Sequence, residues 1–178
     1  MSFQFSIFKR SKGFTLIELF VITTIIGILS SFLFLGKTKA ERRLALGRSA
    51  FQLAQDLREV QEMAMGARET KCGTHNFGIY LKKGTEENSY ILFGDCNTNC
   101  HFDGSSSDEV LREVKLEKNV VYSLSSDLHI IFVPPDPEIY INSTDCLNDW
   151  GEEASITLSL NSETKTVEIN SAGRIEIE

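Results

Sequence analysis

A long apolar run near the amino end limits what this chain can fold into. It covers 22 residues from Phe14 to Leu35, and Glu18 is the only formally charged residue in it. As a helix rising about 1.5 Å per residue, the run reaches roughly 33 Å, enough to cross a hydrocarbon core of about 30 Å. A charge at membrane depth costs roughly 2.5–3.5 kcal/mol, so Glu18 requires a functional explanation.

Basic residues beside the run bear on its topology. Lys9, Arg10 and Lys12 precede it and place the amino end in the cytoplasm by the positive-inside rule, although further basic residues follow the run and weaken that argument. An ordinary secretory signal has a shorter apolar core followed by a small-residue cleavage site, and no clear site of this kind follows Leu35. These residues therefore predict a chain that crosses a membrane once and has its downstream part outside the cytoplasm.

The residues "KGFTLIELFV" at the start of the run resemble the processing site of type IV prepilins and type II secretion pseudopilins. The resemblance implies that a prepilin peptidase cuts between Gly13 and Phe14, and that the new Phe14 amine is N-methylated. Glu18 then occupies the fifth position of the mature chain, where this family carries its glutamate. In a filament, Glu18 of one subunit would pair with the Phe14 amine of a neighbour and set the axial register. The alternative is that the Glu18 carboxylate only reaches the membrane interface.

The polar stretch after Lys37 predicts an amphipathic continuation of the helix to about Thr70, where Cys72-Gly73 would stop it. Apolar residues recur there at alternating spacings of four and three, which favours packing of one helix face against a sheet. The members of this stripe are Leu46, Ala50, Leu53, Leu57, Val60, Ala64 and Ala67. The polar residues, expected on other faces of the helix, are Arg48, Gln52, Asp56, Glu59 and Glu62.

Short β-type runs separated by turn residues follow Gly73. They lie at 77–81, 90–94, 110–116, 120–124, 129–133, 138–142, 155–160, 166–170 and 174–178. The last three alternate apolar and polar residues, as antiparallel strands with one solvated face do. The connection "NSAGR" (170–174) is expected to be a tight hairpin with Gly173 at positive φ.

The sequence therefore predicts an α+β fold in which a long amino-terminal helix packs on an antiparallel β-sheet head. We divide the chain into a leader (1–13), a transmembrane or filament-core helix (14–36), an amphipathic continuation of that helix (37–71) and the head (72–178). This order of elements, with an Asp/Asn-rich loop after "YILFG" and a Gly-Arg dipeptide near the end, is similar to the GspH/FimT group of minor pilins and pseudopilins. In "FVPPDP", Asp136 stands where that group has a glycine.

The resemblance also implies a location, the bacterial inner membrane with the head in the periplasm or at the cell surface, and a set of partners. They are other pilin or pseudopilin subunits, the prepilin peptidase, an inner-membrane assembly platform and, before assembly, membrane lipid. The filament would be a type II secretion pseudopilus or a type IV pilus. The subgroup implies a place near the filament tip or a role in starting assembly.

Four cysteines lie downstream of the apolar run: Cys72, Cys96, Cys100 and Cys146. In a compartment outside the cytoplasm, an even number predicts two disulfides, for which three connectivities exist. The short separation favours a local Cys96–Cys100 bridge, which leaves Cys72 to pair with Cys146. A zinc site built from Cys72, His75, Cys96 and Cys100 is the alternative, with imperfect spacing.

The loop "DCNTNCHFDGSSSDE" places Asp95, Asn97 and Asn99 at alternate positions, followed by Asp103. An EF-hand loop begins with oxygen ligands at this spacing, so calcium is the one cofactor that the sequence suggests. A cysteine and a serine stand at the sixth and twelfth places, where an EF-hand has glycine and glutamate. An Asx-rich turn without a metal is the alternative.

The charge of the chain bears on its function. The formal net charge is −7, and without the three basic residues before Gly13 the balance is 15 positive against 25 negative. Nucleic-acid binders usually show a basic patch, so binding of nucleic acid is not expected. The alternative function is that of a DNA-capturing minor pilin of an uptake pilus, which resembles this chain at Gly173-Arg174. Glu176 and Glu178 beside Arg174 argue against it.

The sequence also lacks catalytic motifs, which favours a structural protein. The sequence contains no nucleophile elbow, phosphate-binding loop or metalloprotease helix. We therefore predict that the chain is not an enzyme, and a membrane-anchored enzyme is the last of the hypotheses.

Overall fold

The structure, a computed structural model, describes residues 13–66, 68–134, 138–142 and 151–178, and gives the backbone alone for residues 33–38 and Glu138. These ranges contain one α-helix and ten β-strands. The helix is α1 (Leu16–Met65). The strands are β1 (Phe77–Leu81), β2 (Gly84–Glu87), β3 (Ser89–Gly94), β4 (Glu109–Lys115), β5 (Val121–Leu124), β6 (Leu128–Val133), β7 (Glu138–Ile141), β8 (Glu153–Leu160), β9 (Glu163–Asn170) and β10 (Ile175–Ile177).

The residues form two compact units, Met1–Ala40 and Glu41–Glu178. In the first unit, the large apolar side chains described between Phe14 and Phe32 are 40–86% exposed. Within the described parts of the chain, no helix is both long and apolar enough to cross a membrane.

The apolar stripe predicted on the helix forms one side of the core of the second unit. Its side chains are at most 2% exposed and pack with apolar residues of both sheets. They are Leu46, Ala50, Leu53, Leu57, Val60 and Ala64. The prediction that this face packs on sheet is therefore confirmed for these six residues, and Ala67 lies outside the described residues.

The helix ends earlier than predicted, at Met65 rather than near Thr70. The Arg68 N–H donates to the Met63 carbonyl five residues before it at 3.2 Å, a bond that closes many helix carboxyl ends. Gly73, predicted as the stop, instead takes φ of 78° in a later turn, where its N–H donates to the Thr70 carbonyl.

The described strands form two antiparallel sheets of five strands each. Sheet A has the order β4-β3-β1-β6-β7, and sheet B has the order β10-β9-β8-β5-β2. Along β8 buried and exposed residues alternate, as predicted, because one face lies on the core and the other faces solvent. Gly173 in the β9–β10 turn has φ of 82°, which confirms the predicted hairpin.

All nine predicted strands are present, but β2 was missed. Its sequence, Gly-Thr-Glu-Glu, has no apolar alternation that indicates a strand. The strand is an edge of sheet B and pairs with β5 through an irregular register, with Glu86 at φ of 65°. Pairing with β5 therefore determines this strand, whose own residues give no signal for it.

Sheet A also carries a small apolar cluster on the face away from the main core. Phe93, Cys100, Ile131 and Tyr140 are its buried members, and Phe102 packs against them. Cys100 and Phe102 belong to the segment between β3 and β4. That segment therefore packs onto the outer face of sheet A.

One polar residue of α1 is buried against the prediction. Asp56, expected off the buried stripe, is only 6% exposed. Its Oδ2 accepts a hydrogen bond from the Tyr90 hydroxyl at 2.6 Å, and its Oδ1 accepts one from Arg112 Nη2 at 2.7 Å. Burial raises the pKa of Asp56 above its usual range. The hydrogen bond from Tyr90 and the charge of Arg112 lower this pKa, but by less. These partners come from β3 and β4, so the helix sequence alone gives no sign of them.

Candidate functional site

The amino end of α1 begins with a capped turn. The Glu18 N–H donates to Thr15 Oγ1 at 3.3 Å, and the Leu19 N–H donates to the Thr15 carbonyl at 3.2 Å. The first amides of a helix have no partner within it, and a threonine hydroxyl is one of the groups that replace that partner. Thr-x-x-Glu is the order of a capping box. The role of Thr15 was missed in the sequence analysis, although the Thr-x-x-Glu spacing stands in the sequence.

The predicted cleavage bond lies directly before this turn. Phe14 is 74% exposed, and a Cβ added to Gly13 would meet no atom within 4 Å. Cleavage there would leave a positive amine one residue before the cap, at the helix end that carries partial positive charge. The amine is poorly placed next to that dipole, and a carboxylate is well placed. A free amine at this helix end is therefore unfavourable unless a carboxylate lies close to it.

In the apolar part of α1, side-chain hydroxyl groups donate hydrogen bonds to backbone carbonyls of the same helix. Thr23 Oγ1 donates to the Phe20 carbonyl at 2.9 Å, and Thr24 Oγ1 to the Val21 carbonyl at 2.8 Å. Ser31 Oγ likewise donates to the Gly27 carbonyl at 2.8 Å. A helix in an apolar environment needs such internal partners, because no water is present to replace them. The three hydroxyl groups therefore have acceptors within α1 itself.

The disulfide of the head differs from the pairing that was favoured. Cys72 is bonded to Cys96, with the Cα atoms 5.4 Å apart, so the predicted Cys96–Cys100 and Cys72–Cys146 pairing is wrong. The reason is the β1–β3 pairing, which sets Phe77 opposite Gly94 and brings the chain before β1 beside the chain after β3. The alternative zinc site is wrong as well, because Cys72 and Cys96 are joined in the disulfide and have no thiol to bind a metal. Cys100 is also disulfide-bonded, and Cys146 lies outside the described residues.

The proposed calcium ligands do not converge as an EF-hand would. Asn97 Nδ2 and Asn99 Nδ2 both donate to Asp103 Oδ2, at 2.8 and 2.7 Å, so amide nitrogens face this carboxylate. Asp95 is fully buried, and its Oδ2 accepts from the Cys100 N–H at 3.0 Å. Among the described residues, no group of three or more acidic, histidine or cysteine side chains is placed to hold a metal. The loop has the contacts of an Asx-rich turn, and calcium binding stays a prediction.

Two histidines lie together on the outer face of sheet A. The rings of His101 and His129 have centroids 4.7 Å apart, and Tyr80 lies 4.9 Å from His129 on β6. His129 is 8% exposed, and its Nδ1 accepts a hydrogen bond from the Phe102 N–H at 3.1 Å. Burial, together with the neighbouring His101, lowers the pKa of His129 to about 4. The sequence gives no sign of this proximity, because it depends on the fold of the segment between β3 and β4.

Arg174 follows Gly173 in the β9–β10 turn and lies among carboxylates. The Arg174 guanidinium forms an ion pair with Glu176 on β10, and Arg174 Nε donates to Glu176 Oε1 at 2.7 Å. Glu153 and Glu168 line the same shallow cavity as Arg174. Repulsion from Glu178 is the largest cause that raises the pKa of Glu168, followed by desolvation and by repulsion from Glu153 and Glu176. The surface around Arg174 is therefore acidic.

Comparison with known proteins identifies the amino end and the fold. Residues 8–34 match the family model of the prokaryotic N-terminal methylation motif. The crystal structure of the type IV minor pilin FimU from Pseudomonas aeruginosa is similar, with a TM-score of 0.50 and 18% sequence identity over 76% of this chain and 90% of that one. The chain therefore carries a prokaryotic N-terminal methylation motif and has a pilin-like fold. A search of curated protein sequences finds no match.

The pilin-like fold confirms two predictions from the sequence. A long amino-terminal helix and an antiparallel β head were expected, and both are shared with the minor pilin structure. That the chain is not an enzyme stays a prediction from the sequence. The GspH/FimT subgroup and the secretion system stay predictions.

The disulfide of this pilin-like protein leads to a direct prediction. Digestion without reduction should give a linked peptide pair that contains Cys72 and Cys96, because the two strands beside them hold these residues in register. Mass spectrometry of the digest with and without reductant measures this. A reduced digest is the control. A peptide closed by a Cys96–Cys100 bond would contradict the structure.

Proposed function

We propose that the chain is a minor pilin or pseudopilin that a prepilin peptidase processes at Gly13–Phe14 and that assembles into a filament. The observation that carries the proposal is the amino end of α1. It combines the methylation motif, an exposed cleavage bond and Glu18 in the first helical turn. The similarity to a minor pilin supports it at the level of the fold.

The proposed assembly begins in the inner membrane, with the head outside the cytoplasm. Lipid surrounds the exposed apolar side chains of α1 before assembly, and other pilin subunits cover them afterwards. The internally bonded hydroxyls of Thr23, Thr24 and Ser31 suit both surroundings. The partners are therefore the peptidase, an inner-membrane assembly platform and other pilin or pseudopilin subunits. The filament is a type II secretion pseudopilus or a type IV pilus.

DNA capture is the less favoured function. Duplex binding depends on neutralisation of phosphates by cations. Arg174 is already paired with Glu176 and lies beside Glu153 and Glu168. DNA retention by the full chain in detergent micelles, measured at several salt concentrations, tests the point. Retention that weakens steeply as salt rises would support capture against our proposal.

Maturation is tested by intact mass and amino-terminal sequencing in strains with and without the prepilin peptidase. We expect a chain that begins at methylated Phe14 when the peptidase is present, and an uncut chain when it is absent. The exposed bond between Gly13 and Phe14 provides the physical reason. The same amino terminus in both strains would remove the chain from the pilin pathway.

A further inference from the structure

We propose that His129 is an acid-sensitive latch, which holds the His101–Phe102 segment on the outer face of sheet A while its ring is neutral and releases it on protonation. The proposal rests on three features of the described residues. They are the hydrogen bond that fixes the state of the ring, the groups that surround it, and the backbone conformation of the segment that it holds.

The hydrogen bond requires an unprotonated Nδ1. Phe102 N–H donates to His129 Nδ1 at 3.1 Å, so Nδ1 has to offer a lone pair and the proton of the neutral ring lies on Nε2. A second proton on the ring would place two donors, Phe102 N–H and Nδ1–H, against each other. Protonation of the His129 ring and this hydrogen bond therefore exclude each other. The pH determines which of the two is present.

The groups around His129 determine the pKa of its ring. His101 faces it from the same segment, with ring centroids 4.7 Å apart, and Tyr80 faces it from β1. Asp103 and Asp127 act in the other direction, since their negative charges favour the protonated ring. Burial and His101 outweigh them, so the pKa of His129 falls to about 4 from a usual 6.5. Hydrogen bonds lower the pKa of both Asp103 and Asp127, which keeps these two carboxylates ionised through that range.

The sign of the effect follows from linkage. A released segment exposes His129 and restores its usual pKa, so the released state binds a proton more readily than the latched state. Between pH 6.5 and 4, each unit of acidification favours release about tenfold, or roughly 300-fold in all. Above pH 6.5 both states are neutral and the ratio is constant. Near pH 4 the ring is protonated even while the segment covers it, so the Phe102–His129 bond is lost there as well.

The segment is prepared for release by its backbone. Thr98 and Cys100 both have positive φ, at 56° and 59°, a region that costs residues with a Cβ free energy. The ends of the segment stay anchored, because Asp108 accepts hydrogen bonds from the Cys96 and Asp103 N–H groups at 3.2 and 2.7 Å. Cys96 is also held by its disulfide to Cys72. Release is therefore local, and it uncovers the Phe102 ring and the ring of Tyr80 that stacks on it at 5.1 Å.

If the head lies outside the cytoplasm, as proposed above, its surroundings follow the pH of the medium. Acid would then expose aromatic surface on one face of the head without unfolding it. The latch itself does not depend on that location, because it can be measured on the purified chain.

The experiment is hydrogen exchange of the Phe102 amide in the full chain in detergent micelles, from pH 7.5 to 4.5, corrected for the intrinsic pH dependence of exchange. We expect protection of Phe102 to fall roughly tenfold per pH unit below 6.5, while the core strand β1 stays protected. In His129→Gln, a carbonyl oxygen that does not titrate can accept the bond, and protection should be independent of pH. His75→Gln, at a histidine bonded elsewhere to the Arg68 carbonyl, is the matched control and should behave as wild type.

Wild-type histidine resonances give a second measurement that needs no variant. The chain has only three histidines, so each ring can be followed through a pH titration. We expect His129 at pH 7 to show the Nε2–H tautomer, and to titrate together with the loss of Phe102 protection. Protection of Phe102 that does not change down to pH 4.5, or an acid effect that persists in a folded His129→Gln variant, would overturn the latch. Neither result would affect the proposed processing at Phe14, which is measured separately by mass.

Discussion

Replacement of Asp56 by alanine should lower the free energy of unfolding by about 3 kcal/mol. The change removes the acceptor of the Tyr90 hydroxyl, which lies on a side chain that is only 1% exposed. A buried donor without a partner costs about 1–3 kcal/mol, and the loss of the Arg112 bond and of packing adds to this. Arg112 is 48% exposed and retains Glu59 at 2.9 Å, so its contribution is small. Urea unfolding of the full chain in detergent micelles, followed by circular dichroism, measures the change.

Two variants make this prediction specific to the buried contact. Glu59→Gln removes the exposed partner of Arg112 and should change the unfolding free energy by less than about 1 kcal/mol. The pair Asp56→Ala and Tyr90→Phe should be less destabilising together than the sum of the two single changes, because either one breaks the same bond. Equal losses for Asp56→Ala and Glu59→Gln would mean that the Asp56–Tyr90 contact does not hold the helix on sheet A.

The sequence predicted those parts of the fold that depend on local periodicity. The buried face of α1 follows from apolar residues at helical spacing, because such a stripe has few ways to leave water other than to pack on a sheet. The strands of β8 and β9 follow from alternation for the same reason. β2 did not follow, because Gly84–Glu87 has no apolar residue and its conformation depends on β5.

The parts that failed depend on which distant segments meet. Cys72 and Cys96 are separated by 24 residues, and only the β1–β3 register makes them neighbours. A short spacing such as that of Cys96 and Cys100 is a poor guide, since the separation of two cysteines along the chain does not fix the distance between them. The burial of Asp56 and the contact of His129 with Phe102 have the same origin. By contrast, Gly13, Phe14 and Glu18 form a local motif, which sequence alone was sufficient to recognise.

Replacement of Glu18 by glutamine should leave processing at Phe14 intact and reduce incorporation into filaments by more than about 100-fold. The amide has nearly the shape of the carboxylate, and the Glu18 backbone can still donate to Thr15, so α1 should begin as before. What it lacks is the charge that the Phe14 amine of a neighbouring subunit needs. A buried charge left without its partner costs about 3–5 kcal/mol, which gives an effect of that size. The measurement is the amount of mature chain in sheared filaments relative to the amount in membranes.

Capping and charge are distinguished by a change at Thr15. Thr15→Ala removes the hydroxyl that accepts the Glu18 N–H and keeps the carboxylate, and an N-cap of this kind contributes about 1 kcal/mol. Incorporation should therefore fall much less in Thr15→Ala than in Glu18→Gln, and Thr15→Ser should behave as wild type. If the two losses were equal, the role of Glu18 would lie in helix initiation. If Glu18→Gln assembled normally, the carboxylate would have no partner in the filament, and its position near the membrane interface would be sufficient to explain it.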